Sequence, residues 1–295
     1  MSAMDLSKMG TARVALNTSD CDHIVIEKWP VSEVEWAFYK YVATELNQAE
    51  VATPKLLSAD AALRQLSMEY IPYSVEQANV ANDYAIAMLG RLHRYPAHSE
   101  WLYHTHTWTE KALENSLVLL ALPEKSAQQL RRFQQCSNEL FGYQSLVSGD
   151  SNAGNWGMRE NGDLVLFDWE RFGKGSPAID LAPLIKGMGK KQMFMALSER
   201  YCKLSSHKNI IDLAREIAIA KAWIVTEVIT LLQKRKKTAF PIYLNWYREH
   251  LPDWLTGHQL VGLLGCAFVM VEPGIFHRHH PAKLISCAAA FSASR

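Results

Sequence analysis

The sequence predicts an α+β chain of two lobes, a small antiparallel β-rich N-terminal lobe and a larger, mainly helical C-terminal one. Three observations lead there. Up to Pro72 apolar and polar residues alternate with the two-residue period of half-buried strands, and beyond it the apolar spacing shifts to the helical period. Between Asp150 and Asp168 a short hairpin pattern interrupts the helical part. The expected division is residues 1–72 and 73–295, and 48% hydrophobic content over 295 residues can fill a core in each lobe.

Taken in order, residues 12–17 and 23–28 read as the strands of a hairpin, joined by the polar turn at 18–22. Ser32 precedes a helix with Glu35 at its third position, the pattern of a capping box, and Trp36, Tyr39, Val42 and Ala43 give that helix an apolar face. Pro54 ends the connection to a second strand pair, 55–58 and 63–71. Helical periodicity then marks 80–92, 109–122, 126–141, 191–204 and 210–234. The interrupting hairpin turns at Glu160-Asn161-Gly162-Asp163, a sequence rich in turn formers.

Composition excludes several classes. A formal charge of +1 gives no global attraction to nucleic acid, and the dense basic run Lys234-Arg235-Lys236-Lys237 closes an apolar helix, where the helix dipole favours cations. The five cysteines, Cys21, Cys136, Cys202, Cys266 and Cys287, are odd in number and never in C-x-x-C spacing, so neither a disulfide framework nor a zinc knuckle is indicated and a reducing cytoplasm fits. Residues 1–13 lack the apolar core of a signal peptide, and Lys221, Glu227 and Glu272 break the longest apolar runs, so no membrane span is expected. The oligomeric state is left open. Gly173-Lys174-Gly175-Ser176 and Gly187-Met188-Gly189-Lys190 do not complete a phosphate-loop motif and read as turns.

The chemistry-bearing stretch is Ser148-Gly149-Asp150-Ser151-Asn152-Ala153-Gly154-Asn155, followed by Leu164-Val165-Leu166-Phe167-Asp168-Trp169-Glu170. A carboxylate that orients or deprotonates a hydroxyl needs a short side chain on a rigid turn, and Gly149 permits that turn before Asp150. Asn155 and Asp168 offer two hard oxygen donors, converging from loop and hairpin, that suit Mg²⁺ with phosphate and water. Taken singly, each of the three is also an ordinary turn or strand-end residue. Their order and spacing together favour phosphoryl transfer.

From about residue 143 to 184 the chain resembles the catalytic core of the aminoglycoside phosphotransferase and choline kinase superfamily, which has the protein-kinase-like fold. The family pattern is H-G-D-x-x-x-x-N, then D-x-E, then D-[LF]-A; Asp150, Asn155, Asp168-Trp169-Glu170 and Asp180-Leu181-Ala182 follow that order. The resemblance implies Asp150 as catalytic base, Asn155 and Asp168 as metal ligands, and Asp180 as a structural acid bracing the loop. Glu170 either assists at the metal or forms a surface ion pair. Ser148 stands where the family has histidine, so the loop's support is expected to differ.

The same resemblance implies a nucleotide-binding N-lobe. Lys28 would contact the α- and β-phosphates and Glu35 would pair with it. Leu66-Ser67-Met68-Glu69-Tyr70-Ile71-Pro72 resembles the family hinge, which places Met68 beside adenine and the backbones of Glu69 and Ile71 on its hydrogen-bonding edge. His93 ends a helix of the family pattern and reads as structural. The phosphate lid, Ser7-Lys8-Met9-Gly10-Thr11, looks short. On the acceptor side, Trp223, Tyr243, Trp246, Tyr247 and Trp254 with Glu227, Glu249 and Asp253 read either as a helical core stripe or as a lining for a cationic amine. His277-Arg278-His279-His280 reads as a polar rim or a metal site.

The expectation is an ATP- and Mg²⁺-dependent kinase that transfers the γ-phosphate to a hydroxyl of a small acceptor, a choline-type amino alcohol, an aminoglycoside or a sugar. The alternative is a nucleotide-binding pseudokinase or regulatory module without turnover. A weaker one is a helical interaction module on residues 210–234.

Overall fold

Alternation in β1 (Arg13–Thr18) and β2 (Ile24–Trp29) resolves into an antiparallel pair with Val14 opposite Lys28 and Leu16 opposite Ile26. The computed structural model describes residues 12–18, 24–205 and 209–258, all within one unit, Met1–Gly262. The turn after β1, the short lid at 7–11 and the histidine cluster at 277–280 lie outside the described residues. β2 pairs on its other side with β4 (Gln65–Glu69), and β4 with β3 (Leu56–Asp60), giving the order β1-β2-β4-β3. Leu66 and Met68 alternate onto the buried face of β4, and Met68 lies opposite Ile26.

Between β2 and β3 runs a helical stretch, α1 (Glu33–Ala37), a widened π-turn (Phe38–Val42) and α2 (Ala43–Gln48). Tyr39, Val42 and Ala43 are buried as the apolar face requires. Ser32 Oγ accepts from Glu35 N at 3.1 Å, so the expected cap forms. The reciprocal half of the capping box does not, because the Glu35 carboxylate has turned to Lys28.

Past Pro72, β5 (Tyr73–Ser74) joins the hairpin of β7 (Trp156–Met158) and β8 (Leu164–Leu166) in a three-stranded sheet ordered β5-β7-β8. The hairpin turn carries Gly162 at φ +89°. The helices α3 (Asp83–Arg94), α4 (Glu110–Leu120) and α5 (Glu124–Gln135) follow, the last two in contact with each other. The helix expected over 126–141 is broken, and a one-turn α6 (Asn138–Phe141) follows α5. Ser137 and Asn138 fall at the break, and such side chains favour helix ends over interiors.

Two-residue strands β6 (Leu146–Val147) and β9 (Gly173–Lys174) pair beside the Ser148–Asn155 loop and are too short to leave an alternation signal. Then come α7 (Ala178–Leu181), α8 (Lys191–Ser205), α9 (Ile210–Lys234) and α10 (Phe240–Gly257). The sequence did not delimit α10, which contains Pro241 and Pro252. Pro241 falls in the first turn, where its missing N–H leaves no bond unmade. α9 is the central helix of this part, buried along most of its length and packed against α4, α5, α7, α8 and α10. Among the described residues no helix is long and apolar enough to cross a membrane.

One residue of α9 leaves a measurable mark. Lys221 is buried, donates to the carbonyl oxygens of Ile185 at 2.5 Å and Gly187 at 2.8 Å, and forms no ion pair with a described carboxylate. Burial lowers its pKa from the ordinary 10.5 to about 7. The unfolded chain holds the proton up to the ordinary value, so the native state is disfavoured in neutral solution and gains stability as pH rises from about 7 toward 10.5. In thermal denaturation between pH 7 and 9, the rise in midpoint due to this group is expected in the wild type and lost in Lys221→Met.

Candidate active site

Lys28 occupies the next-to-last position of β2, opposite Leu66, and its side chain is buried against the sheet. A buried ammonium needs counter-charges. Glu35, in the first turn of α1, supplies Oε1 at 2.6 Å, and Asp168, beyond β8, supplies Oδ1 at 2.7 Å. Burial disfavours the charge on Lys28, but the two carboxylates outweigh it and hold the ammonium well above the ordinary lysine range. Burial and the neighbouring Asp168 push the Glu35 carboxyl up while Lys28 pulls it back. Glu35 Oε2 makes no hydrogen bond.

Asp168 reaches this position through a left-handed backbone, φ 65° and ψ 62°, a conformation that costs a non-glycine residue on the order of 1–3 kcal/mol. The following turn, Trp169–Arg171, holds it. Trp169 is buried, its indole N–H donates to the Leu166 carbonyl at 2.9 Å, and its ring stacks on Phe38 with centroids 4.3 Å apart. The same aromatic stack therefore seats the π-turn after α1 and the acidic turn after β8.

The candidate catalytic loop leaves β6 at Ser148. Its support is the carboxylate of Asp180 on α7, which is fully buried. That carboxylate accepts from Ser148 N (2.7 Å), Ser148 Oγ (2.8 Å), Gly149 N (2.9 Å) and His93 Nε2 (3.2 Å). The Ser151 hydroxyl donates to the Asp180 carbonyl, and the Trp156 indole to the Ser151 carbonyl at 2.9 Å. Gly149 has φ +78°, and a Cβ there would stand 2.4 Å from the Arg171 carbonyl oxygen and 2.7 Å from His106 Cε1. Only glycine fits. With serine at 148, the loop is bound to Asp180 through both the amide and the hydroxyl of that residue.

Asp150 Oδ1 accepts from Asn152 Nδ2 at 2.6 Å, and Asn155 Nδ2 donates to the Asp150 carbonyl at 2.8 Å. Turning its amide nitrogen inward leaves Asn155 Oδ1 as an acceptor for a ligand. Burial raises the Asp150 pKa and the charge of Asp168 adds to it, against the Asn152 hydrogen bond and the positive charge of Arg171. Glu170 forms no ion pair among the described residues, so the surface-pair reading is not met. Burial and Asp168 raise its pKa, with Lys28 and Arg235 acting the other way.

In the hinge-like stretch, Met68 is buried and the Glu69 amide donates to the Lys55 carbonyl at 2.9 Å, so at residue 69 only the backbone carbonyl is left for a ligand. Three residues that the motif reading did not single out converge on these parts. Arg159 pairs with Glu69 (2.7 Å). His106 packs its ring against Gly149 and Gly173, and burial, with Arg171 and His104, pushes its pKa down to about 3. Arg171 pairs with Glu227 at 2.9 Å and lies 5.5 Å from the Trp223 ring centroid. Their only sequence signals were a charge or a histidine inside an irregular segment.

Arg171 also corrects the aromatic-lining reading. Trp223, at 2% exposure, Tyr247 and Trp254 are core side chains, and a cation from the chain itself already occupies the Trp223 and Glu227 corner. Tyr243 and Trp246 remain partly exposed, with Trp246 stacked on His250 at 4.5 Å. The interaction-module reading of residues 210–234 meets a helix most of whose apolar residues are spent inside the fold, with Ile211 left exposed.

The sequence profile of the phosphotransferase enzyme family matches residues 12–203, from β1 through nearly all of α8. The chain belongs to that family. It is a kinase-type phosphotransferase with the protein-kinase-like fold. No curated protein sequence matches it significantly. Among solved structures, a choline kinase from Streptococcus pneumoniae is similar at 16% identity, with 88% of this chain and 94% of that one covered and a TM-score of 0.57. A macrolide 2'-phosphotransferase from Brachybacterium faecium matches at 13% identity, 87% and 92% coverage and a TM-score of 0.58. An aminoglycoside 2'-phosphotransferase in its GDP complex matches at 11% identity, 87% and 93% coverage and a TM-score of 0.61. At these identities the likeness is one of fold.

Asp180→Ala in this phosphotransferase would leave two backbone N–H groups, one buried and one partly buried, a hydroxyl and an imidazole without their acceptor. The expected loss of stability is on the order of 3 kcal/mol or more, measured by denaturant titration.

Proposed function

We propose that this phosphotransferase moves the γ-phosphate of ATP to a hydroxyl of a small molecule, with Mg²⁺ as the companion ion. The observation that carries the reading is the meeting of Lys28, Glu35 and Asp168, from three separate stretches of chain, at 2.6 and 2.7 Å. A cation held between a helix carboxylate and a second acid is the arrangement that receives nucleotide phosphates in kinase-like sites. The second support is a rigid loop that presents Asp150 and Asn155 together.

Lys28 would hold the α- and β-phosphates, with Glu35 fixing its direction. Met68 would lie beside the adenine, and the Glu69 carbonyl and the Ile71 backbone would hydrogen-bond its edge. The chain up to residue 72 would thus serve the nucleotide and the remainder the acceptor. Asn155 Oδ1 and the exposed part of the Asp168 carboxylate are two hard oxygens, a donor set that fits Mg²⁺, and Glu170 stands within electrostatic reach as a helper. Bound there, the ion would neutralise charge on the β- and γ-phosphates. Asp150 would orient the acceptor hydroxyl and take its proton, while Ser148 and Asp180 keep the loop in shape. Acceptors named for the similar structures, choline, macrolides and aminoglycosides, are small hydroxylated molecules, which supports that class here. The site of action would be the cytoplasm, in keeping with the scattered cysteines.

ADP production over a panel of amino alcohols, aminoglycosides, macrolides and sugars tests the reading. Asp150→Asn is expected to lower acceptor-dependent turnover by roughly 10²–10⁴-fold while nucleotide binding stays within a few-fold. Nucleotide binding with no acceptor-dependent, Asp150-dependent turnover would instead make the protein a pseudokinase. In an active wild type the rate should fall as acid protonates Asp150. Arg171→Met removes a charge that favours the ionised carboxylate, so the acidic limb of the kcat/KM profile should move to higher pH.

A further inference from the structure

β7 and the residue after it meet residues 69–74 at three points. Beneath the middle lies Gly157, where a Cβ would stand 2.6 Å from Ile71 Cγ2, 3.1 Å from Phe167 Cε1 and 3.3 Å from the Tyr73 carbonyl oxygen. At the downstream end Met158 pairs with Tyr73 in the β5–β7 ladder. At the upstream end Arg159 grips the Glu69 carboxylate with two bonds, Nε to Oε1 at 2.7 Å and Nη2 to Oε2 at 2.9 Å.

The grip extends into the N-lobe. Arg159 Nη2 also donates to the Thr53 carbonyl at 3.1 Å, and the Lys55 amide donates to Glu69 Oε2 at 3.0 Å. The Glu69 amide returns a bond to the Lys55 carbonyl at 2.9 Å. The paired side chains are 19% and 22% exposed, which shields them from the screening that makes open surface pairs nearly worthless. Burial opposes ionisation of Glu69, yet Arg159 and the Lys55 amide hold its carboxyl below the ordinary range. A planar guanidinium making two parallel bonds fixes direction as well as distance, which a lysine cannot do.

We propose that Arg159 is a positioning residue for nucleotide recognition: with Gly157 it seats residues 69–71 in one conformation, so that the backbone edge offered to the purine is formed before the nucleotide arrives. The proposal rests on the reading of residues 66–72 as the nucleotide hinge. Its physical content is preorganisation, since a segment already held in its binding conformation spends less of its interaction energy on ordering. It also makes this hinge a fixed seat rather than a pivot between the lobes.

The test is calorimetric titration of the full chain with ADP and, separately, with Mg²⁺-tripolyphosphate, which lacks the base. Arg159→Met is expected to weaken ADP binding about tenfold, some 1.4 kcal/mol, with tripolyphosphate affinity and kcat at saturating nucleotide within about twofold of wild type. Arg159→Lys should fail to rescue, and Gly157→Ala should weaken ADP in the same direction by displacing Ile71. Should Arg159→Met not fold, the lysine variant and Gly157→Ala carry the comparison. Wild-type ADP affinity in the folded variants overturns the proposal, and so does equal weakening of ADP and tripolyphosphate, which would mark a general structural effect. A wild-type chain that binds tripolyphosphate but no nucleotide overturns the hinge reading itself.

Discussion

An ammonium taken out of water must be met by opposite charge on more than one side, and the placement of Lys28 between Glu35 and Asp168 is the constraint from which much of the surrounding structure follows. Desolvating three charged groups is expensive, and the arrangement holds only if each carboxylate is delivered by an element that cannot drift. Glu35 is delivered by a helix whose cap gives up its second half so that the side chain can turn inward. Asp168 is delivered by a left-handed residue that ordinary packing would relax. The aromatic contact of Trp169 with Phe38 stands between those two deliveries, and both deliveries depend on it.

The second anchor is Asp180, and it shows how a loop whose motif opens on serine is held in place. A carboxylate has lone pairs for several donors, and here the amides of residues 148 and 149, a serine hydroxyl and an imidazole share them. The histidine absent from the motif at 148 is not replaced by another at that position. Instead His93 on α3 reaches the same carboxylate, and His106 packs against Gly149 from a third segment. The loop is thus organised around the acid more than around the residue that opens the motif.

What the sequence made legible was whatever depends on period or on close spacing. The alternation before Pro72 and the helix of 210–234 are properties of neighbouring residues, and the structure forms the strands and the helix there; the order of Asp150, Asn155, Asp168 and Asp180 is local in the same way. The pairing of Lys28 with Glu35 was also within reach, seven residues apart. Arg159 and Arg171 were not, because their meaning lies in partners 90 and 56 positions away in sequence. The aromatic run of α9 and α10 was ambiguous for a related reason. An indole in a helix looks the same in sequence whether it faces a ligand or the core, and burial decides. β6 and β9 escaped because two residues carry no period.

The stack of Phe38 on Trp169 has a mechanical consequence. The first belongs to the π-turn that follows the helix bearing Glu35, and the second directly follows Asp168. Interiors this closely packed do not deform by degrees; they hold or they rearrange. A swing of that helix would therefore act as a lever on the backbone of Asp168, and the two acids would be gained or lost as a single part.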